Sequence, residues 1–160
     1  VTYPVKSELI PGEDIIFTNG FPTSNNLAKI IPVNLINPND ELNSDFPLIL
    51  STGRLLEHWH TGTMTRRALV LNELEPDPMI FMSQVDSNFY NLDLNKSVII
   101  ETRRGKISIK IRHDDDLLPG MIFLPFCFKE AAANILTNSD LDPIGKIPEL
   151  KFSAARVYQN

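Results

Sequence analysis

The chain has 160 residues, 42% hydrophobic and 22% charged, with one cysteine and a net charge of −5. These proportions exclude a disordered or collagen-like chain, and no apolar run is long enough for a transmembrane helix. One cysteine excludes an internal disulfide or a cysteine-only metal cluster, and the acidic balance argues against a general nucleic-acid binder.

The length fits one domain with its own core. A chain that opens on Val1 rather than Met reads as part of a longer or processed polypeptide. Residues 1–46 read as an N-terminal arm and connector. Within them 15–17 and 27–31 are candidate short strands, and 32–47 (PVNLINPNDELNSDFP) carries turn chemistry. Residues 47–160 read as the main domain. Leu48-Ile49-Leu50 predicts a strand that stops at Gly53, and 79–82 predicts another, followed by a short helix from a Ser83 cap to Tyr90. Residues 97–102 and 106–112 flank Arg103-Arg104-Gly105, and Ile107, Ile109 and Ile111 alternate with polar residues. That pattern predicts a β-hairpin with one buried face. Pro119-Gly120 turns into a strand over 121–126, 131–136 gives one or two helical turns, and 152–158 closes the chain as a strand. Many short strands and little helix predict a mostly β fold, a barrel rather than an open sheet.

The chemistry concentrates in 51–67, which holds two of the three histidines, the only tryptophan, two of the seven glycines and five hydroxyl residues. Residues 54–67 carry a net charge of +2 in a chain whose remainder carries −7. A basic island in an acidic chain points to one local anionic ligand. Arg54 offers a planar fork for phosphate, Gly53 and Gly62 permit close backbone approach, and Trp59 offers a flat face. A plainer reading makes this a polar loop whose Trp59 anchors it to the core. His58 and His60, two apart, would share one strand face and could chelate a metal as the start of a hydrolase site. Cys127 lies in an apolar setting and reads as an inert core thiol. Asp114-Asp115-Asp116 lacks the spacing of a calcium loop. No nucleophile elbow, Walker loop or Gly-Ser self-cleavage pair is present.

Residues 52–67 (TGRLLEHWHTGTMTRR) resemble the pterin-dinucleotide-binding segment of the dimethyl sulfoxide reductase superfamily of molybdenum and tungsten oxidoreductases. Three further stretches, 97–110, 118–126 and 130–151, resemble that superfamily's hairpin, its "PF" strand and its ending. Their order and spacing hold from about Pro47 to Val157. The segments EAAANILTN and KIPELK are most similar to the C-terminal domain of formate dehydrogenase alpha subunits.

The resemblance implies a double-psi β-barrel, aspartate decarboxylase-like, with short helices. It implies that this barrel holds one molybdopterin guanine dinucleotide. Carried over, the cofactor contacts are Thr52, Gly53, Arg54, Leu55, Leu56, Glu57, His58, Trp59, His60, Thr61, Phe126, Asn134 and Lys151. The implied parent oxidises formate to CO₂ at a Mo or W centre. Its metal-ligating residue and iron–sulfur clusters are expected in upstream sequence, so this chain alone is expected to be inactive. The expected partners are the remainder of the catalytic subunit and electron-transfer subunits, with no nucleic acid and no transmembrane segment, in the cytoplasm. A free-standing pterin-binding subunit and a nitrate reductase-type parent are the alternatives. Cys127 stands where the formate dehydrogenase pattern has histidine, and 88–96 lacks the usual glycines.

Overall fold

In the structure, a computed structural model, residues 4, 5 and 7–159 are described. The chain divides into two units, Val1–Asn37 and Pro38–Asn160. In the second, alternating apolar residues build six strands: β1 (Leu48–Gly53), β2 (Met79–Met82), β3 (Val98–Thr102), β4 (Lys106–His113), β5 (Met121–Pro125) and β6 (Ser153–Tyr158). They close into a barrel in the order β1-β5-β2-β4-β3-β6. Two pairs are parallel, β1 with β5 and β2 with β4, and the other four are antiparallel. This is the mostly β barrel that the sequence patterns and the resemblance imply.

Closure leaves no strand edge, and every strand sends alternate residues inward. In β4, Ile107, Ile109 and Ile111 are buried while Lys106, Ser108 and Lys110 are exposed. They meet Leu48, Leu50, Ile80, Met82, Val98, Ile100, Ile122 and Leu124 in one core. Each such fully buried aliphatic side chain contributes about 1.5–3 kcal/mol.

Two short helices lie outside the wall. In α1 (Leu69–Leu74), which follows a 3-10 turn at Thr65–Arg67, no residue is buried. The sequence patterns had not indicated it. In α2 (Gln84–Phe89), the Ser83 hydroxyl accepts from the Asp86 N–H at 3.1 Å. The Asp86 carboxylate in turn accepts from Ser83 Oγ and from the Gly120 N–H, at 2.9 and 2.8 Å. The cap thus fastens α2 to the turn at Gly120, whose φ of +87° favours glycine.

The division falls at 37/38 rather than at 46/47, because Asp40 is part of the barrel unit. Its buried carboxylate accepts from Arg103 Nη1 at 2.5 Å, Arg104 Nη1 at 2.6 Å and the Ala154 N–H at 2.7 Å. Burial alone would raise its pKa, but those hydrogen bonds win and hold the carboxyl below its usual value. The Arg103 and Arg156 guanidiniums also lie over the Phe46 ring.

In the first unit, the strands expected at 15–17 and 27–31 do not form; its described residues are turns and bends. Local bonds run from the Gly20 N–H to Phe17 O and from the Phe21 N–H to Asn26 O, and the Phe17 and Phe21 rings stack at 4.9 Å. Apolar residues alone do not make a strand; its backbone groups need a neighbouring edge, and this unit presents none.

Candidate functional site

β1 and β5 run parallel and end in register, Gly53 beside Pro125. Both following segments therefore leave the barrel at the same end. A third segment joins them, since Thr52 donates both its N–H and its hydroxyl to Leu150 O, the hydroxyl at 2.7 Å. Lys151 Nζ reaches back to Thr52 O. Asn138 secures this approach to β6 by donating Nδ2 to Phe152 O at 2.6 Å, while its N–H donates to Ser153 Oγ. Residues about 100 apart in sequence are thus held together by backbone geometry.

Between the three segments lie two adjoining hollows. One of about 420 Å³ is lined by Thr52, Arg54, His60, Phe126, Leu150 and Lys151. Another of about 350 Å³ shares Thr52, His60, Phe126 and Leu150, and continues to Thr61, Phe128, Lys129, Ala132, Ala133 and Asn134. Together they form a trough with Arg54 and Lys151 at one end, Asn134 and Lys129 at the other, and the His60 and Phe126 rings lining both. The His60 ring stands edge-on to Phe126 at 5.4 Å, and His60 itself has φ +53°. That left-handed bend is what turns the histidine out of the loop and over the trough.

Seven residues singled out by the resemblance line this trough: Thr52, Arg54, His60, Thr61, Phe126, Asn134 and Lys151. The other six do not. Gly53 sits against the Phe123 ring on the outer face of the wall, where a Cβ would meet that ring at 2.4 Å, so the glycine makes room for it. Leu55 and Glu57 are half-buried away from the hollows, and Leu56 is 97% exposed. Trp59 lies on the rim, 61% exposed, with Arg54 over its ring at 5.3 Å. It neither anchors the loop nor lines the trough, and it holds the Arg54 guanidinium instead.

The anchor is His58, which is 1% exposed. Its Nε2–H donates to Glu75 O at 2.7 Å, and its ring stands edge-on to Phe128 at 5.6 Å. With Nε2 protonated, Nδ1 is left to accept from the Thr65 hydroxyl at 3.4 Å, while that hydroxyl accepts from the Trp59 N–H at 3.0 Å. His58 therefore pins the loop from below, and both of its ring nitrogens are engaged. The proposed chelating pair of His58 and His60 does not form, because a loop need not keep the shared face that a strand would impose. Among the described residues no group of three His, Cys, Asp or Glu side chains is placed to hold a metal, and no helix is long and apolar enough to cross a membrane. Cys127 is 2% exposed, and burial pushes its thiol pKa up.

Leu150, Lys129, Ala132 and Ala133 line the trough without having been singled out. The signal was present in their neighbours: Leu150 precedes Lys151, and the alanines precede Asn134. Small side chains there leave the floor of the second hollow open.

Residues 48–154 match the family described as "Molydopterin dinucleotide binding domain". The chain is 38% identical over 157 residues, 98% of its length, to the F420-dependent formate dehydrogenase subunit alpha of Methanocaldococcus jannaschii. It is 34% identical over 97% of its length to the F420-dependent formate dehydrogenase 1 subunit alpha of Methanococcus maripaludis. In each case it spans about 23% of the relative's length. A periplasmic nitrate reductase of Campylobacter fetus is 33% identical over 82% of the chain, which spans 14% of it. In fold, 72% of the chain superposes on 18% of acetylene hydratase from Pelobacter acetylenicus, with a TM-score of 0.62 at 21% identity. The chain belongs to the molydopterin dinucleotide binding domain family.

Proposed function

We propose that this chain is the cofactor-clamping domain of a formate dehydrogenase-type catalytic subunit, and that its trough takes one molybdopterin guanine dinucleotide. The observation that carries the reading is the trough itself, long enough to span two hollows, with Arg54 and Lys151 in one and Asn134 in the other. Arg54 and Lys151 suit the pyrophosphate, Arg54 through its planar fork and Lys151 as a point charge. Phe126 and His60 offer ring faces and edges to a flat heterocycle, and Asn134 offers both a donor and an acceptor to its edge. Thr61 and Lys129 close the far side. Thr52 acts indirectly, since its hydroxyl is already given to Leu150 O.

When bound, the cofactor supplies two-electron chemistry at molybdenum or tungsten, with formate oxidised to CO₂ and the electrons leaving through iron–sulfur clusters elsewhere in the parent. This chain's part is to bind and orient. The remainder of the catalytic subunit and its electron-transfer subunits are its partners, and the chain alone carries no turnover. The two formate dehydrogenase relatives support this parent; the nitrate reductase relative supports the same clamp in a nitrate-reducing one.

Calorimetric titration of the chain with guanosine diphosphate tests the clamp. Arg54→Ala with Lys151→Ala should weaken binding by at least about tenfold, the loss expected from one charge-assisted contact, while the circular dichroism of the barrel stays the same. Equal affinities in the variant and the parent chain would remove both residues from their roles.

A further inference from the structure

Beyond Thr61 and Lys129, which wall the second hollow of the trough, lies a third of about 410 Å³. It is lined by Thr61, Gly62, Thr63, Arg66, Arg67, Cys127, Lys129 and Glu130. Its three cations face one carboxylate, so the lining is positive by two charges. Three features make it more than a gap between basic side chains. Arg66 is held in a fixed pose, its Nη1 donating to Glu130 at 2.7 Å and its guanidinium over the Phe128 ring at 4.9 Å. In that pose its Nε–H is buried with no acceptor, and a buried donor left unpaired costs about 1–3 kcal/mol. Gly62, at φ +73°, has no room for a Cβ, which would meet Cys127 O at 2.8 Å and the Arg66 stem at 2.9 Å. The loop is therefore shaped around the arginine. Finally, the Thr61 and Thr63 hydroxyls lie 3.2 Å apart, where one can donate to the other and leave a hydroxyl for a ligand.

We propose that this third hollow is a second site, which binds a small oxyanion of the phosphate or carboxylate type beside the dinucleotide and independently of it. Arg66, Arg67 and Lys129 supply the positive field, a Thr61 or Thr63 hydroxyl supplies a hydrogen-bond donor, and Glu130 is neutralised by its pairing with Arg66.

The test is an amide-resolved NMR titration of the chain with inorganic phosphate and, separately, with sodium formate. Each is run with and without saturating guanosine diphosphate. Saturable shifts are expected at Gly62, Thr63 and Arg66, and they should persist when the nucleotide is present. The tighter of the two ions identifies the anion class. Arg67, which lines this hollow and not the trough, gives the cleaner variant, since removing Arg66 would also strip the face of Phe128. Arg67→Ala should weaken the anion by about tenfold, and Lys129→Ala should also weaken it. Shifts that never saturate, or an Arg67→Ala chain that titrates like the parent, would overturn the proposal. So would nucleotide abolishing the anion shifts, for the hollow would then be the end of the trough. Failure of the nucleotide itself to bind would count against the clamp and leave the phosphate arm readable.

Discussion

Along β4 the isoleucines are inside and the lysines and serine outside, whereas along the loop after β1 the order is inverted. There His58 is buried while Leu56, Trp59 and Met64 are exposed. The strand is bound by its period of two, so polarity alone assigns each residue a face. The loop has no period, and a residue's position follows from which hydrogen bonds the backbone must make. His58 is inside because it has a donor for Glu75 O and an acceptor for Thr65, and a leucine could supply neither. The same freedom separates His58 from His60. One holds the loop and the other faces the trough.

The contrast can be broken at its strongest fixing first. Asp40→Ala should cost about 3 kcal/mol, the low end for a broken buried pair, because Arg103 and Arg104 keep 34% and 27% of their side-chain surface in water. Chemical denaturation checks the value. The pH dependence has a definite sign. The folded carboxyl lies below its unfolded value, so its contribution is complete above the usual carboxylate range and is lost as the pH falls through the folded pKa. Asp40→Ala should therefore flatten the acid side of the stability profile. An unchanged profile would show that the latch is not titrating.

His58→Ala is the next largest. It removes a buried ring and leaves the Glu75 carbonyl without its donor, at about 2–3 kcal/mol. Faster amide exchange should be confined to the loop around Trp59 and Thr65, with the barrel strands unaffected. Exchange that rises equally in β1 and β4 would mean that His58 supports the barrel rather than the loop. The smallest effect belongs to Trp59→Ala. A side chain exposed on the rim should change the melting temperature by the equivalent of about 0.5 kcal/mol or less. A larger loss would make Trp59 an anchor after all and erase the distinction between the two residues.

The strands were legible because burial is written twice in them, in period and in residue type. The expected strand at 79–82 is β2 to the residue, and the hairpin lies within one residue of its expected span. The arm was misread because its apolar runs have strand composition but no partner edge, and pairing is a property of the whole fold. The site was half legible. Arg54, His60, Phe126, Asn134 and Lys151 carry side chains whose chemistry is visible in isolation, and they line the trough. The small wall residues Ala132 and Ala133 carry no such mark, and the inward turn of His58 depends on a carbonyl seventeen residues away.

What the chain determines by itself is therefore its local grammar: alternation, caps, turns, and the concentration of donors after the first strand. Only the tertiary structure decided which donors remain free for a ligand. The parallel pairing of β1 with β5 brings their ends together, and the hydrogen bonds from Thr52 and His58 then fix which neighbouring groups are already taken. A free donor is defined by what has not bonded to it, and no single segment contains that information.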